Sequence, residues 1–226
     1  MFINLILTLS MFLSSGAELE IAGDFVSAGN AYYEDIDVSG EARILCRFLE
    51  EALYAGSSAH AFDLIMQLEQ LPFESCYFDF WYARLSWNCG MPQYACAALD
   101  DVAGNSWLQS RADGLAAQFR GNASSAEAHF RLSLSLAESA RQRYYSALDL
   151  SFALIQTGGY NEAEDIALYL AGNFPGESLP FISLALNYQE QDRFGEAMSI
   201  LQSVYSGDEF SFIGKHFAAL LLEDLE

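Results

Sequence analysis

The chain has 226 residues, 52% of them hydrophobic, and a net charge of −21 from 31 acidic against 10 basic residues, with Lys215 the sole lysine. This is enough for one or two compact domains or one short solenoid, and no segment is of low complexity. So acidic a chain repels nucleic acid and anionic membrane surfaces and favours basic or neutral partners, although solubility alone would account for the charge.

Met1 to Leu13 is apolar apart from Asn4, Thr8 and Ser10, and small residues, Ser14 to Ala17, lead to acidic Glu18. An apolar run with Ser15 and Ala17 before a break reads as a secretory signal cleaved after Ala17, though its start lacks Lys and Arg. The run is shorter than the roughly 20 apolar residues that span a bilayer. No Cys follows it to carry a lipid. The expected division is a signal peptide at 1–17 and a helical domain at 18–226, in a periplasmic or secreted protein.

Residues 18–34 contain Gly23-Asp24-Phe25 and Ala28, a turn and the start of a helix. In residues 39–69, Ile44, Leu45, Phe48, Leu49, Ala52 and Leu53 share one helical face. Gly56-Ser57-Ser58 breaks that helix, Ala61, Phe62, Ile65, Met66 and Leu68 form a second, and Leu71-Pro72 stops it. Residues 73–102 repeat the plan, with a turn at Gly90-Met91-Pro92 and a second helix carrying Ala95, Ala98, Leu99 and Val102.

Residues 107–140 are less regular: a first helix around Gly114 to Phe119, a turn at Gly121-Asn122, and a long second helix predicted from Ser125 to Arg143. Its small anchor is either Ala126 or Ala128. Two well-matched units follow. Gly158 fits a helix end, Asn161 with Glu164 fits a helix start, and Ser178 is a second candidate cap, with Pro180 tolerated in the first turn. Residues 210–226 form one more helix with an acidic outer face.

Ala28, Ala61, Ala95, Ala163 and Ala197 recur at or near multiples of 34 residues, as do Tyr160 and Phe194. This period, with a small residue in each second helix, resembles the tetratricopeptide repeat (TPR) family. The resemblance implies an all-α fold: an α-solenoid, a right-handed superhelix of about five to six TPR-like helix-turn-helix repeats with a C-terminal capping helix. It further implies a non-catalytic scaffold of the kind exported by bacteria, and a concave groove lined by the first helix of each unit. Matched by register, that wall comprises Phe80, Arg84 and Trp87, then Tyr145, Leu148, Phe152 and Ile155, then Ile182, Leu186 and Gln189. It is apolar and aromatic, suited to an amphipathic helix or an extended apolar peptide. It lacks the Lys, Asn and Arg cluster with which chaperone-binding TPR domains clamp a carboxylate. In the other reading, tight curvature packs these side chains against one another.

Cys89 and Cys96 flank a turn and are candidates for a disulfide, leaving Cys46 with Cys76; equally, all four are small buried hydrophobes. His60, His129 and His216 sit in different units without ligand spacing, and no catalytic or nucleotide-binding motif is present. Glu162, Glu164 and Asp165 complement a helix N-terminus. Asn122-Ala123-Ser124 is a glycosylation sequon, relevant in a eukaryotic secretory pathway. The sequence therefore points to no enzyme, no cofactor and no metal, but to a protein or peptide partner, with a self-associating structural module as the alternative.

Overall fold

The computed structural model describes residues 40–71 and 75–225. The predicted signal peptide and the half-unit at 18–34 lie outside them. The helices are α1 (Gly40–Tyr54), α2 (Ser58–Leu68), α3 (Ser75–Asn88), α4 (Pro92–Asp100), α5 (Ser106–Phe119), α6 (Ala123–Leu136), α7 (Ala140–Thr157), α8 (Tyr160–Asn173), α9 (Ser178–Gln189), α10 (Phe194–Ser206) and α11 (Phe212–Leu225). Among the described residues there is no strand. Consecutive helices pair into five hairpins, and α11 packs on the last, so the chain is an all-α solenoid of TPR-like hairpins with a terminal helix.

Each hairpin turns through the same device. Gly56, Gly90, Gly121, Gly158 and Asp192 all have positive φ, between 59° and 81°. At each turn the following N–H reaches back five residues, as in Ser57 to the Ala52 carbonyl and Arg193 to the Tyr188 carbonyl. The positive-φ residue bonds three back, as in Gly158 to the Ile155 carbonyl. This pair of bonds satisfies carbonyls that a helix end leaves open and reverses the chain over the helix it has just left.

Five residues after each turn comes a small anchor: Ala61, Ala95, Ala126, Ala163 and Ala197, every one at 0% exposure. Ala126 is thus the anchor of the third hairpin, and Ala128 is exposed. Gly114 makes a comparable close approach, where a Cβ would collide with the Phe130 ring.

The helix predicted from Ser125 to Arg143 is in fact two. It stops at Leu136, Ala137 turns extended, and Ser139 caps α7 in a capping box with Gln142. Because α4 spans only nine residues and α7 eighteen, the anchors slip by 31 and then 37 residues while the average holds. Two cap assignments also change. Gly159, not Asn161, precedes α8, without a side-chain cap. Ser178 is already inside α9, and its hydroxyl is used elsewhere.

The odd-numbered helices form an inner layer in which each touches the next, and α11 touches α1. The solenoid therefore closes into a ring of six inner helices, with α2, α4, α6, α8 and α10 outside.

Candidate functional site

Along α1, Arg47, Glu50, Glu51 and Tyr54 stand at i, i+3, i+4 and i+7, which is one stripe of a helix. Helical periodicity alone would leave this stripe in solvent. Ring closure instead turns it inward, and the three charged side chains are buried. Charges taken out of water need partners, and two clusters supply them.

The first cluster joins four inner helices. Glu50 pairs with Arg84 and accepts a hydrogen bond from Trp81 Nε1 at 3.0 Å. Arg111 Nε donates to Asp149 at 2.6 Å and its Nη2 lies 3.8 Å from Glu50. The Tyr54 hydroxyl donates to Asp149 as well. The guanidiniums also lie on rings: Arg84 is 4.1 Å from the Tyr54 centroid and Arg111 is 4.7 Å from that of Phe80. Burial, followed by the Asp149 charge, pushes the Tyr54 phenol well above its ordinary range.

The second cluster closes the ring. Arg47 donates to Glu177 at 3.2 Å and to the Gly176 carbonyl at 3.0 Å, and Arg141 donates to Glu177 at 2.9 Å. Glu51 accepts from Ser178 at 3.0 Å and from Ser211. Burial alone would raise the Glu177 carboxyl, but Arg47 and Arg141 outweigh it and hold that carboxyl below the usual range. Glu51 goes the other way: burial pushes it up, the Glu177 charge adds to this, and Arg47 and the two serines only partly offset it. Each cluster balances two arginines with two acids, so the net charge of −21 falls on the rest of the chain.

Above the first cluster the ring opens into a cavity of about 380 Å³. Tyr54, Arg84 and Asp149 form its floor. Trp87 and Phe119 stack at 4.0 Å on one wall, and Phe152 packs on Tyr54 at 5.3 Å. Leu53, Leu115, Leu186 and Phe217 complete the apolar surface, while Asn88, Gln118 and Gln156 add amides.

The predicted groove is only partly this funnel. Arg84, Trp87, Phe152 and Leu186 line it. Phe80, Leu148 and Ile182 are wholly buried, Tyr145 and Ile155 nearly so, and Gln189 is partly exposed outside the lining. The reason is curvature: closing the ring packs Phe80, Leu148 and Ile182 against neighbouring helices and leaves Arg84, Trp87, Phe152 and Leu186, one or two turns later, lining the opening. A long open groove for an extended peptide is therefore replaced by a short axial funnel.

Neither predicted disulfide forms, since Cys46, Cys89 and Cys96 are thiols. Cys46 is buried on the core side of α1, which fits the small-hydrophobe reading, whereas Cys89 is exposed. Burial, then the Glu50 charge, raises the Cys46 thiol well above its ordinary value and keeps it protonated.

One signal in the sequence marks the buried ion pairs beneath the cavity. Allowing for the 31 and 37 residue slips, Arg111 occupies the repeat position of Cys46, Phe80, Leu148 and Ile182. A charge in an otherwise apolar column marks a buried ion that must find an acid.

Other candidates for chemistry stay apart. His60, His129 and His216 lie on α2, α6 and α11. Among the described residues no three His, Cys, Asp or Glu side chains are placed to share a metal ion, and no helix is long and apolar enough to cross a membrane.

No protein-family model and no curated protein matches the chain. Among solved structures it is similar to one titled "Crystal structure of MamA", at 14% identity, over 95% of this chain and 97% of that one, with a TM-score of 0.40. A likeness that distant bears on neither the site nor its ligand.

Proposed function

We propose that the protein is a non-catalytic scaffold of the TPR type that binds a protein partner through the axial funnel and acts in the periplasm or outside the cell. The observation that carries the reading is the funnel itself. It draws side chains from all six inner helices, combines aromatic walls with a few polar groups, and falls within the roughly 300–1,000 Å³ of ligand-sized pockets. A cavity of this size admits a projecting side chain or a chain end rather than a whole helix.

Export rests on the apolar run and small residues at 1–17. Mass analysis of the mature protein is expected to place its first residue at Glu18; a mature chain retaining residues 1–17 contradicts the cleavage. For the site, affinity capture from the native envelope fraction compares wild type with a Trp87→Ala, Phe152→Ala double variant. Loss of a partner from the variant is expected, and retention of the same partners contradicts the assignment.

A second reading has its own support. The outer helices expose large apolar side chains, with Tyr94 at 70%, Tyr169 at 67% and Tyr205 at 57%. Such a surface suits self-association into a structural assembly. Light scattering coupled to size exclusion separates the two, because a monomer independent of concentration removes this reading.

A further inference from the structure

Building on the funnel as the binding site, we infer that its occupant is an organic cation: an alkylammonium or guanidinium group entering at the open end of the ring. Three observations converge. The first is field direction. The inner helices α1, α3, α5, α7 and α9 run the same way, and the lining they contribute comes from their later turns. Each helix C-terminus carries about half a negative charge. The outer helices begin at the same end, but their positive N-termini stand one packing distance, about 8–10 Å, farther out. Coulombic attraction falls with distance, so the nearer C-termini outweigh them for a group inside the funnel.

The second is charge balance. Among the described residues Arg84 is the one basic residue in the lining, and it is already paired with Glu50 and laid over Tyr54. With both interior clusters neutral, the chain's −21 draws cations towards the opening and supplies no free cation inside the funnel to attract an anion.

The third is the wall. Trp87, Phe119, Phe152 and Phe217 surround the opening, and aromatic faces attract cations through their quadrupoles. The molecule already uses this packing beneath the funnel, where Arg84 meets Tyr54 and Arg111 meets Phe80. The amides of Asn88, Gln118 and Gln156 offer carbonyl acceptors; Asn88 gives its N–H to the Leu53 carbonyl, which keeps its oxygen for accepting. An aliphatic stem with a cationic head satisfies apolar wall, amides and field together. A carboxylate or phosphate would meet the field with the wrong sign.

The test is calorimetric titration of the purified protein with choline, with Nα-acetyl-lysine amide, and with 3,3-dimethylbutan-1-ol, the neutral isostere of choline. At least one cation is expected to bind about fivefold or more tighter than the alcohol, with affinity falling as salt rises. Binding of the lysine amide alone assigns a protein side chain as occupant, and binding of choline alone assigns a small cation; both outcomes support the inference. Trp87→Leu is expected to weaken cation binding about fivefold while keeping the wild-type melting temperature. Should that variant fold poorly, Phe152→Leu provides the same comparison. Equal or tighter binding of the alcohol overturns the inference and leaves an apolar funnel. No binding of any probe also overturns it, and partner capture that still depends on Trp87 and Phe152 would then leave the scaffold reading in place.

Discussion

The repeated packing of the hairpins and the seam that closes the ring are made from different materials. Each hairpin repeats an apolar, periodic contact: a turn with positive φ, an alanine five residues later at 0% exposure, and bulky side chains around it; the buried ion pairs Glu50–Arg84 and Arg111–Asp149 join neighbouring hairpins in the inner layer as well. At the closing seam α1 meets α9 and the start of α11 through Arg47, Glu51, Glu177, Ser178 and Ser211, joined by Arg141 from α7. Apolar packing tolerates any neighbour of the right shape, which lets a repeat propagate. A buried ionic seam is satisfied by one geometry and heavily penalised in others, which specifies where the ring ends.

Breaking the closing seam is expected to have the largest effect. Glu177→Leu leaves Arg47 and Arg141 buried without their shared acid, a loss of about 3–5 kcal/mol. In thermal unfolding this corresponds to a fall of roughly 6–20 °C for a chain of this size. Hydrogen exchange should show α1 and α11 losing protection first, with α5 to α8 keeping theirs. Uniform loss would mean that the two seams are not separable.

Overpacking a repeat seam comes next. Ala163→Leu adds volume at a fully buried crossing and is expected to cost about 1–3 kcal/mol. An unchanged melting curve would contradict the register, which places Ala163 with Ala61, Ala95, Ala126 and Ala197.

The closing seam also predicts two opposed pH effects. Glu177 has a lowered folded pKa, so its contribution is present above its unfolded value of about 4.3 and is lost as pH falls through the lower folded value. Glu51 has a raised folded pKa, so its contribution is present below about 4.3 and is lost as pH rises through the higher folded value. Glu51→Gln, which fixes a neutral side chain there, is therefore expected to gain on wild type as pH rises from acid towards neutral. Chemical denaturation at a series of pH values measures this, and a constant difference would contradict the assignment.

The smallest effect sharpens the periodic seam. Four of the five turns use glycine at positive φ and the fifth uses Asp192 at 59°. Asp192→Gly removes a left-handed penalty and is expected to stabilise by up to about 1 kcal/mol, read as a small rise in melting temperature. A fall would show that the Asp192 side chain does more than tolerate the turn.

These two materials also explain what could be read from the chain. The periodic seams are local in sequence, so Gly158, Ala163 and their counterparts reveal the hairpins directly. The boundary at 137–139 is written as the Ser139–Gln142 capping box, but apolar residues continue at helical spacing across it and mask the break. The closing seam is not local: Arg47 finds Glu177 130 positions away. On α1 its stripe of Arg47, Glu50 and Glu51 looks like any solvated face. The funnel inherits that difficulty. Trp87 and Phe152 follow from repeat register, whereas Asp149 and Tyr54 join the site only because the ring closes over them.

Small-angle X-ray scattering on the protein tests that closure most directly. A closed ring predicts a compact particle with a radius of gyration near the roughly 17 Å of a globular chain of this length, and a larger value for Glu177→Leu. An extended wild-type particle, unchanged by Glu177→Leu, would show an open solenoid and contradict the account.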